Sequence, residues 1–308
     1  MQSRNPVIRR AEAQYSEAYS GPGFASVDGG AAGAGGAAGA NAVHGGPGTS
    51  PQQLNNMYNA PATAGPTGVA MTIHDVIMKT ALSFVILVIA AAGSWLWIAS
   101  TVPKNAPAGT ISGLAWGVMF GGMLIAFVLA MVNIFKKNVS PALVLLYAVF
   151  EGVFLGGLSY IFQVFGQQMG YGNLVATAVV ATFVVFVIML SLYTTRIIKV
   201  NGRFKKIMMV ALFSYLGFAV VSMIAALFGV GGGWGFFGFG WIGVVVSVLV
   251  VVMAAFSLCL DFDAIEEGIK YQVPERESWR MAFGLMVTIV WLYIEILRLL
   301  ALIASNSR

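Results

Sequence analysis

The sequence predicts an all-α integral membrane protein: seven transmembrane helices behind a disordered N-terminal tail. Three observations predict it. Seven apolar stretches lie near 80–102, 111–135, 141–164, 173–194, 207–229, 239–264 and 280–304, and each meets the ~20 helical residues that a hydrocarbon core of ~30 Å requires. Apolar residues make up 58% of the chain and charged residues 9%, against ~25% charged in soluble domains. Finally, the lysines and arginines gather in the short connections between stretches, where basic residues set membrane orientation. Two regions follow: a Gly/Ala-rich tail over 1–70 and a seven-helix domain over 71–308.

The tail differs in kind from the rest. From Ser20 to Pro66 it is rich in Gly, Ala, Pro, Ser and Asn, with no apolar period. It cannot bury enough surface to offset its ordering entropy, so it is expected to be a disordered cytoplasmic tether. It does not read as a signal peptide, because the apolar segment begins too late and follows polar residues. The formal charge of +5 does not point to nucleic acid, since no basic soluble face exists; the bilayer is the expected partner. With the N-terminus in the cytoplasm, only Lys104, Arg298 and Arg308 of the 17 basic residues fall outside or toward that end. The expected topology is N-in, C-out, multi-pass, in a plasma or inner membrane.

Within the domain, Met71–Thr80 (MTIHDVIMKT) reads as a short amphipathic lead into helix one. Helix three starts where Ser140 can cap it and Pro141 fits the first turn. Gly152 and Gly156 share one face of that helix, with Gly157 beside them, a spacing that admits close backbone approach. The connection from helix five to six, VGGGWGFFGFGW from Val230, suits an outer aromatic belt and has glycines enough to turn back toward the bilayer. Cys259, the single cysteine, reads as an apolar packing residue, which leaves no disulfide or thiol metal site.

Ionisable groups inside the apolar spans are the informative residues, because each costs at least ~2.5–3.5 kcal/mol at mid-bilayer. They are Glu151 in helix three, Asp261 and Asp263 at the end of helix six, and Glu295 and Arg298 in helix seven. At 1.5 Å per residue, Glu151 lies ~15 Å from the cytoplasmic entry, Glu295 ~22 Å and Arg298 ~27 Å, while Asp261 lies ~33 Å from the outer face. Glu151 and Glu295 are therefore expected at similar depth, in a buried cluster with Arg298. Asp261 is expected near the cytoplasmic level of Lys136 and Lys137, to which it could bond and so close that mouth. Asp263 is expected to face the headgroups.

Thr288, Trp291, Glu295 and Arg298 are spaced three, four and three, which is one helical face. Such a polar stripe will not face lipid, so helix seven is expected at the centre, with Glu295 and Arg298 able to pair. Enzyme templates fit poorly. The chain has two histidines, His44 and His74, and no HExxH, P-loop or nucleophile elbow. No enzyme activity and no cofactor are expected.

Three segments carry a resemblance: YAVFEGVFLG from Tyr147, SLCLDFDAIEEG from Ser257 and WLYIEILRLLALI from Trp291. Together they resemble the Bax inhibitor-1 family, also called the transmembrane BAX inhibitor motif family, and in particular its bacterial branch with a long N-terminal extension. The resemblance spans roughly Met71–Arg308. It implies six helices surrounding helix seven and a pH-sensitive calcium leak whose sensor is a pair of aspartates, one in helix six and one in helix seven. The first position falls on Asp261. The second falls on Glu295 or on Thr288, depending on the alignment of helix seven, and depth favours Thr288. The base that ends helix two in relatives corresponds to Lys136 or Lys137. The expected function is thus a Ca²⁺ (or H⁺) leak. The alternative is a non-transporting membrane protein that modulates, or is a substrate of, a membrane quality-control protease.

Overall fold

The computed structural model describes residues 69–102, 112–233, 235–238 and 240–306; the tail expected over 1–70 lies almost wholly outside them, as do Lys104 and Arg308. Within the described residues there are seven long helices: α1 Ile73–Thr101, α2 Gly113–Phe135, α3 Pro141–Gln168, α4 Leu174–Thr194, α5 Gly202–Leu227, α6 Gly240–Lys270 and α7 Ser278–Asn306. All seven are long and apolar enough to cross a membrane.

Local chemistry sets their starts. At α1, Thr72 Oγ1 accepts from the Asp75 amide at 3.2 Å while Asp75 Oδ2 accepts from the Thr72 amide at 2.9 Å. This reciprocal cap begins the helix at Ile73. The Met71–Thr80 segment is therefore the first turns of α1 itself, not a separate lead. Ser112 and Asn201 cap α2 and α5 through their side chains. Ser140 does not: its carbonyl, not its hydroxyl, receives the Leu143 and Val144 amides. Pro141, with no amide to satisfy, starts α3 without side-chain help.

Packing places α7 in the middle. One apolar cluster joins Ala178 of α4, Ala254 and Leu258 of α6, and Leu292 and Leu297 of α7. A second joins Leu87 of α1, Val144 and Ala148 of α3, and Met286 and Val290 of α7. Helices α1, α3, α4 and α6 pack directly on α7, and Tyr215 of α5 reaches it. Helix α2 is peripheral and packs on α3. Many large apolar side chains of α2 and α5 are exposed, Phe127 and Phe213 among them, as lipid-facing helices require.

The tightest helix pair is α1 with α3. A Cβ at Gly152 would meet the Leu87 carbonyl and, at 2.8 Å, Ala90 Cβ; at Gly156 it would meet the Ala91 carbonyl. The small-residue face of α3 is thus what lets α1 in. Past α5, the chain makes two 3₁₀ turns, Val230–Gly233 and Gly235–Gly238. Gly235, with φ +61°, sits against Ser222, and the Phe236 amide donates to Ser222 Oγ at 3.0 Å. The connection therefore folds back ~7 Å along the last turns of α5. Trp234 and Phe239 lie outside the described residues.

Two glycines give opposite expectations. Gly156→Ala collides with α1 backbone and should destabilise by about 1–3 kcal/mol. Gly117→Ala on α2 meets nothing within 4 Å and should be neutral or stabilise by up to ~1 kcal/mol. Thermal unfolding of the purified variants in detergent should move the midpoint down for the first and not for the second.

Candidate functional site

The polar groups of the bundle lie at three levels along α7. The first is the end where α7 begins, called the basic end here. Arg280 donates through Nη2 to the carbonyl of Lys137 at 2.7 Å and of Lys136 at 3.2 Å, and its Nε pairs with Glu277 at 3.0 Å. Lys79 of α1 reaches Glu275 at 2.8 Å and Ser278 Oγ at 2.6 Å. Lys205 of α5 bridges Asp263 at 2.6 Å and Glu267 at 2.9 Å on α6. The chain entering α1 joins this end: the Met71 amide donates to the Val273 carbonyl at 2.9 Å and the Glu275 amide to that of Val69 at 2.8 Å, around an antiparallel bridge Ala70–Pro274.

The second level is Asp261. It lies in the seam between α6 and α7, next to the Thr288 hydroxyl. Its Oδ1 would lie 3.8 Å from a Cβ at Gly284, and its buried Oδ2 has no hydrogen-bond partner. Among the described residues, no lysine or arginine forms an ion pair with it. Thr288 itself donates to the Gly284 carbonyl at 3.2 Å, one turn back.

The third level is Glu295. Its side chain is 3% exposed and contacts Arg298 Nη2. Its Oε1 accepts from Tyr215 Oη at 2.6 Å and from Trp291 Nε1 at 3.2 Å. Arg298 also donates from Nε to Ser247 Oγ of α6 at 3.3 Å. The Tyr215 and Trp291 rings lie 5.5 Å apart. Charge-assisted bonds to Glu295 thus come from α5 and from two turns of α7, with α6 holding the arginine.

The structure brings the helix-seven stripe together as one inward face, but it rearranges the other sequence candidates. Lys136 and Lys137 are exposed and form no ion pair with Asp261 or any other described acid; it is their carbonyls that are used, by Arg280. The expected Asp261–lysine bond is absent because α2 packs on α3, whereas Asp261 faces α7. Asp263 is tied to Lys205 and does not stand free toward headgroups. Glu151 does not join Glu295 and Arg298. Its carboxyl bonds Tyr147 one turn earlier, and Tyr147 meets Phe283 edge-on at 5.1 Å. Since Ser159 meets Tyr293 at 2.7 Å, the parallel register of α3 and α7 puts Glu151 abreast of about Met286. That is two turns short of Glu295 and near the level of Asp261. Counting residues from each helix start misjudges depth here, because the start expected for α7, Arg280, lies abreast of about Leu145, a turn further into the bundle than Pro141. Thr288, not Glu295, is the α7 residue beside Asp261; Glu295 lies seven residues on, ~10 Å along the axis.

Sequence reasoning missed Tyr215, Ser247 and Arg280. Tyr215 carried a signal: a phenol inside an apolar span needs a partner. Among the described residues no three His, Cys, Asp or Glu side chains gather as a metal cluster.

Removing one partner of the third level should be costly. Arg298→Met leaves Glu295 buried without its base and should destabilise by roughly 3–5 kcal/mol. The double variant Glu295→Gln/Arg298→Met should recover most of that loss. Chemical unfolding in mixed micelles measures both.

With this geometry in view, comparison with known proteins gives one family match. The family model described as Bax inhibitor 1 like matches residues 5–305, reaching well before Met71, where the resemblance of the motifs begins. A comparison with curated proteins finds no match. Seven spanning helices and this match together make the chain a multi-pass membrane protein.

Proposed function

Because the chain belongs to the Bax inhibitor 1-like family, we propose that it is a pH-sensitive cation leak, with Ca²⁺ as the ion carried and the basic end facing the cytoplasm. The observation that supports this reading most is Asp261: a carboxyl in the α6–α7 seam with one buried oxygen unpartnered. A buried charge without a base is expensive. Protonation removes that cost, and ionisation favours any rearrangement that admits water or a cation to the oxygen. Thr288 stands where a second carboxylate would otherwise share the proton, so the switch rests on one acid. Glu295, held by Arg298, Tyr215 and Trp291, is compensated in place and serves to lock α7. Closure at the basic end falls to Arg280, whose guanidinium clasps the two carbonyls that end α2. A movement of α7 that frees this clasp would open that end.

The test is Ca²⁺ entry into dye-loaded proteoliposomes from about pH 5 to about pH 8. Wild type should show pH-dependent flux. Asp261→Asn, an isostere of the neutral acid, should hold flux at the level wild type shows at the acid end, whatever the pH. Arg280→Gln should raise flux severalfold, whereas Lys136→Gln, which leaves the carbonyl in place, should not. Pairing retained between pH and flux in Asp261→Asn would sink the one-acid switch. No flux above empty vesicles at any pH would favour the second reading, a non-transporting protein handled by a membrane quality-control protease.

A further inference from the structure

Between α1 and α4 the bundle is not closed. Helix α1 packs on α3 and α7 and touches α6, and α4 packs on α6, α7 and, more lightly, α3. The gap between them is a lateral groove of about 1820 Å³ floored by α7 at Leu285, Ile289 and Tyr293. Pockets for small ligands run ~300–1,000 Å³, so this groove is larger than such a ligand needs. It extends along α1 from Ile73 to Leu96, ~35 Å of helix, which matches the hydrocarbon thickness of a bilayer.

Its polarity is one-sided. Along the spanning length the walls are apolar, with scattered hydroxyls such as Thr182 and Ser159. The charged lining residues, Arg196, Glu266 and Lys270, all stand at the basic end. The Arg196 side chain is 64% exposed and commits its Nη2 to Glu266 at 2.6 Å. A guanidinium has five N–H donors, so it can hold Glu266 and still donate to an anion. Lys270 lies over the Tyr271 ring at 6.0 Å and forms no ion pair among the described residues. Two cations against one carboxylate leave the mouth positive.

We propose that this groove binds an anionic phospholipid, its acyl chains lying between α1 and α4 and its phosphate at Arg196 and Lys270. A chain-shaped apolar slot with a basic mouth at one end matches an amphiphile whose charge sits at one end, and basic pockets between spanning helices favour anionic headgroups. A partner helix would ask for small residues along the lips. The lips have Ala81 and Ala92 but between and opposite them carry Ile77, Val88 and Phe183, all more than half exposed, which suits flexible chains rather than a second backbone. This lipid site does not depend on the leak reading.

The experiment is native mass spectrometry of the full chain from micelles with equal palmitoyl-oleoyl phosphatidylglycerol and phosphatidylcholine. Wild type should retain phosphatidylglycerol preferentially. Arg196→Gln and Lys270→Gln should each lower that preference about fivefold. Glu266→Gln, which leaves both cations, should keep or raise it. Ala92→Trp fills the groove from an exposed lining position and should lower retention of both lipids. Thermal transitions of all variants within a few degrees of wild type establish that they are folded. Equal retention of the two lipids by wild type, or an unchanged preference in the double Arg196→Gln/Lys270→Gln variant, overturns the headgroup site. Unchanged retention by Ala92→Trp overturns the groove. Sodium oleate displacing all bound phospholipid would assign the groove to a free fatty acid and overturn the proposal as stated.

Discussion

A lipid interior offers no water to a stranded polar group, so every polar side chain on the central helix must find its partner inside the protein. That constraint orders the bundle. Glu295 draws Tyr215 from α5 and, through Arg298, Ser247 from α6; Tyr293 finds Ser159 on α3; Lys79 of α1 bonds Ser278 at the first residue of α7. Four helices are thereby held to α7, three of them by bonds within the span that have no substitute in hydrocarbon and α1 by one at the basic end. Apolar packing then fills the space between. The close seam of α1 and α3 is the complement of this arrangement, made by leaving side chains out at Gly152 and Gly156.

The contrast between Glu295 and Asp261 is the electrostatic core of the molecule. Both are carboxyls beside α7, ~10 Å apart along its axis. One is surrounded by donors and a guanidinium, and its charge is cheap to keep. The other has a hydroxyl beside it and an oxygen with no partner, so its charge is costly to keep. The two acids on one axis therefore differ in kind: Glu295 is compensated in place, whereas Asp261 is not. The ion pairs at the basic end are of another sort. Pairs such as Arg196–Glu266 are largely exposed, so water screens them and they add little to stability. Some tie a connection to a helix, as Arg196 does with Glu266, and others join helices, as Lys205 joins α5 to α6.

Much of this was legible in the sequence because hydrocarbon imposes length and composition. The seven spans and the glycine face of α3 follow from apolar runs and spacing. The inward stripe of α7 follows from a period of three and four, and so does the Glu295–Arg298 pair. What stayed hidden depends on how helices slide against one another. Glu151 was grouped with Glu295 because depth was counted from each helix start. The register set by Tyr147 on Phe283 and Ser159 on Tyr293 cannot be read from either helix alone. Lys136 and Lys137 drew attention as charges, yet it is their carbonyls, invisible in side-chain chemistry, that Arg280 uses. Tyr215 was overlooked because an apolar helix with one phenol looks like any other until its partner is known.

The short antiparallel bridge of Ala70 with Pro274 has a mechanical consequence. It fastens the chain just before α1 to the loop that leads into α7, by two backbone bonds on either side of the bridge. A pull on the segment preceding Val69 therefore does not first unwind α1. It loads the α6–α7 loop, a few residues from Arg280 and its clasp. The entry of α1 and the entry of α7 thus share one anchor point, and neither can shift at that end without breaking these backbone bonds.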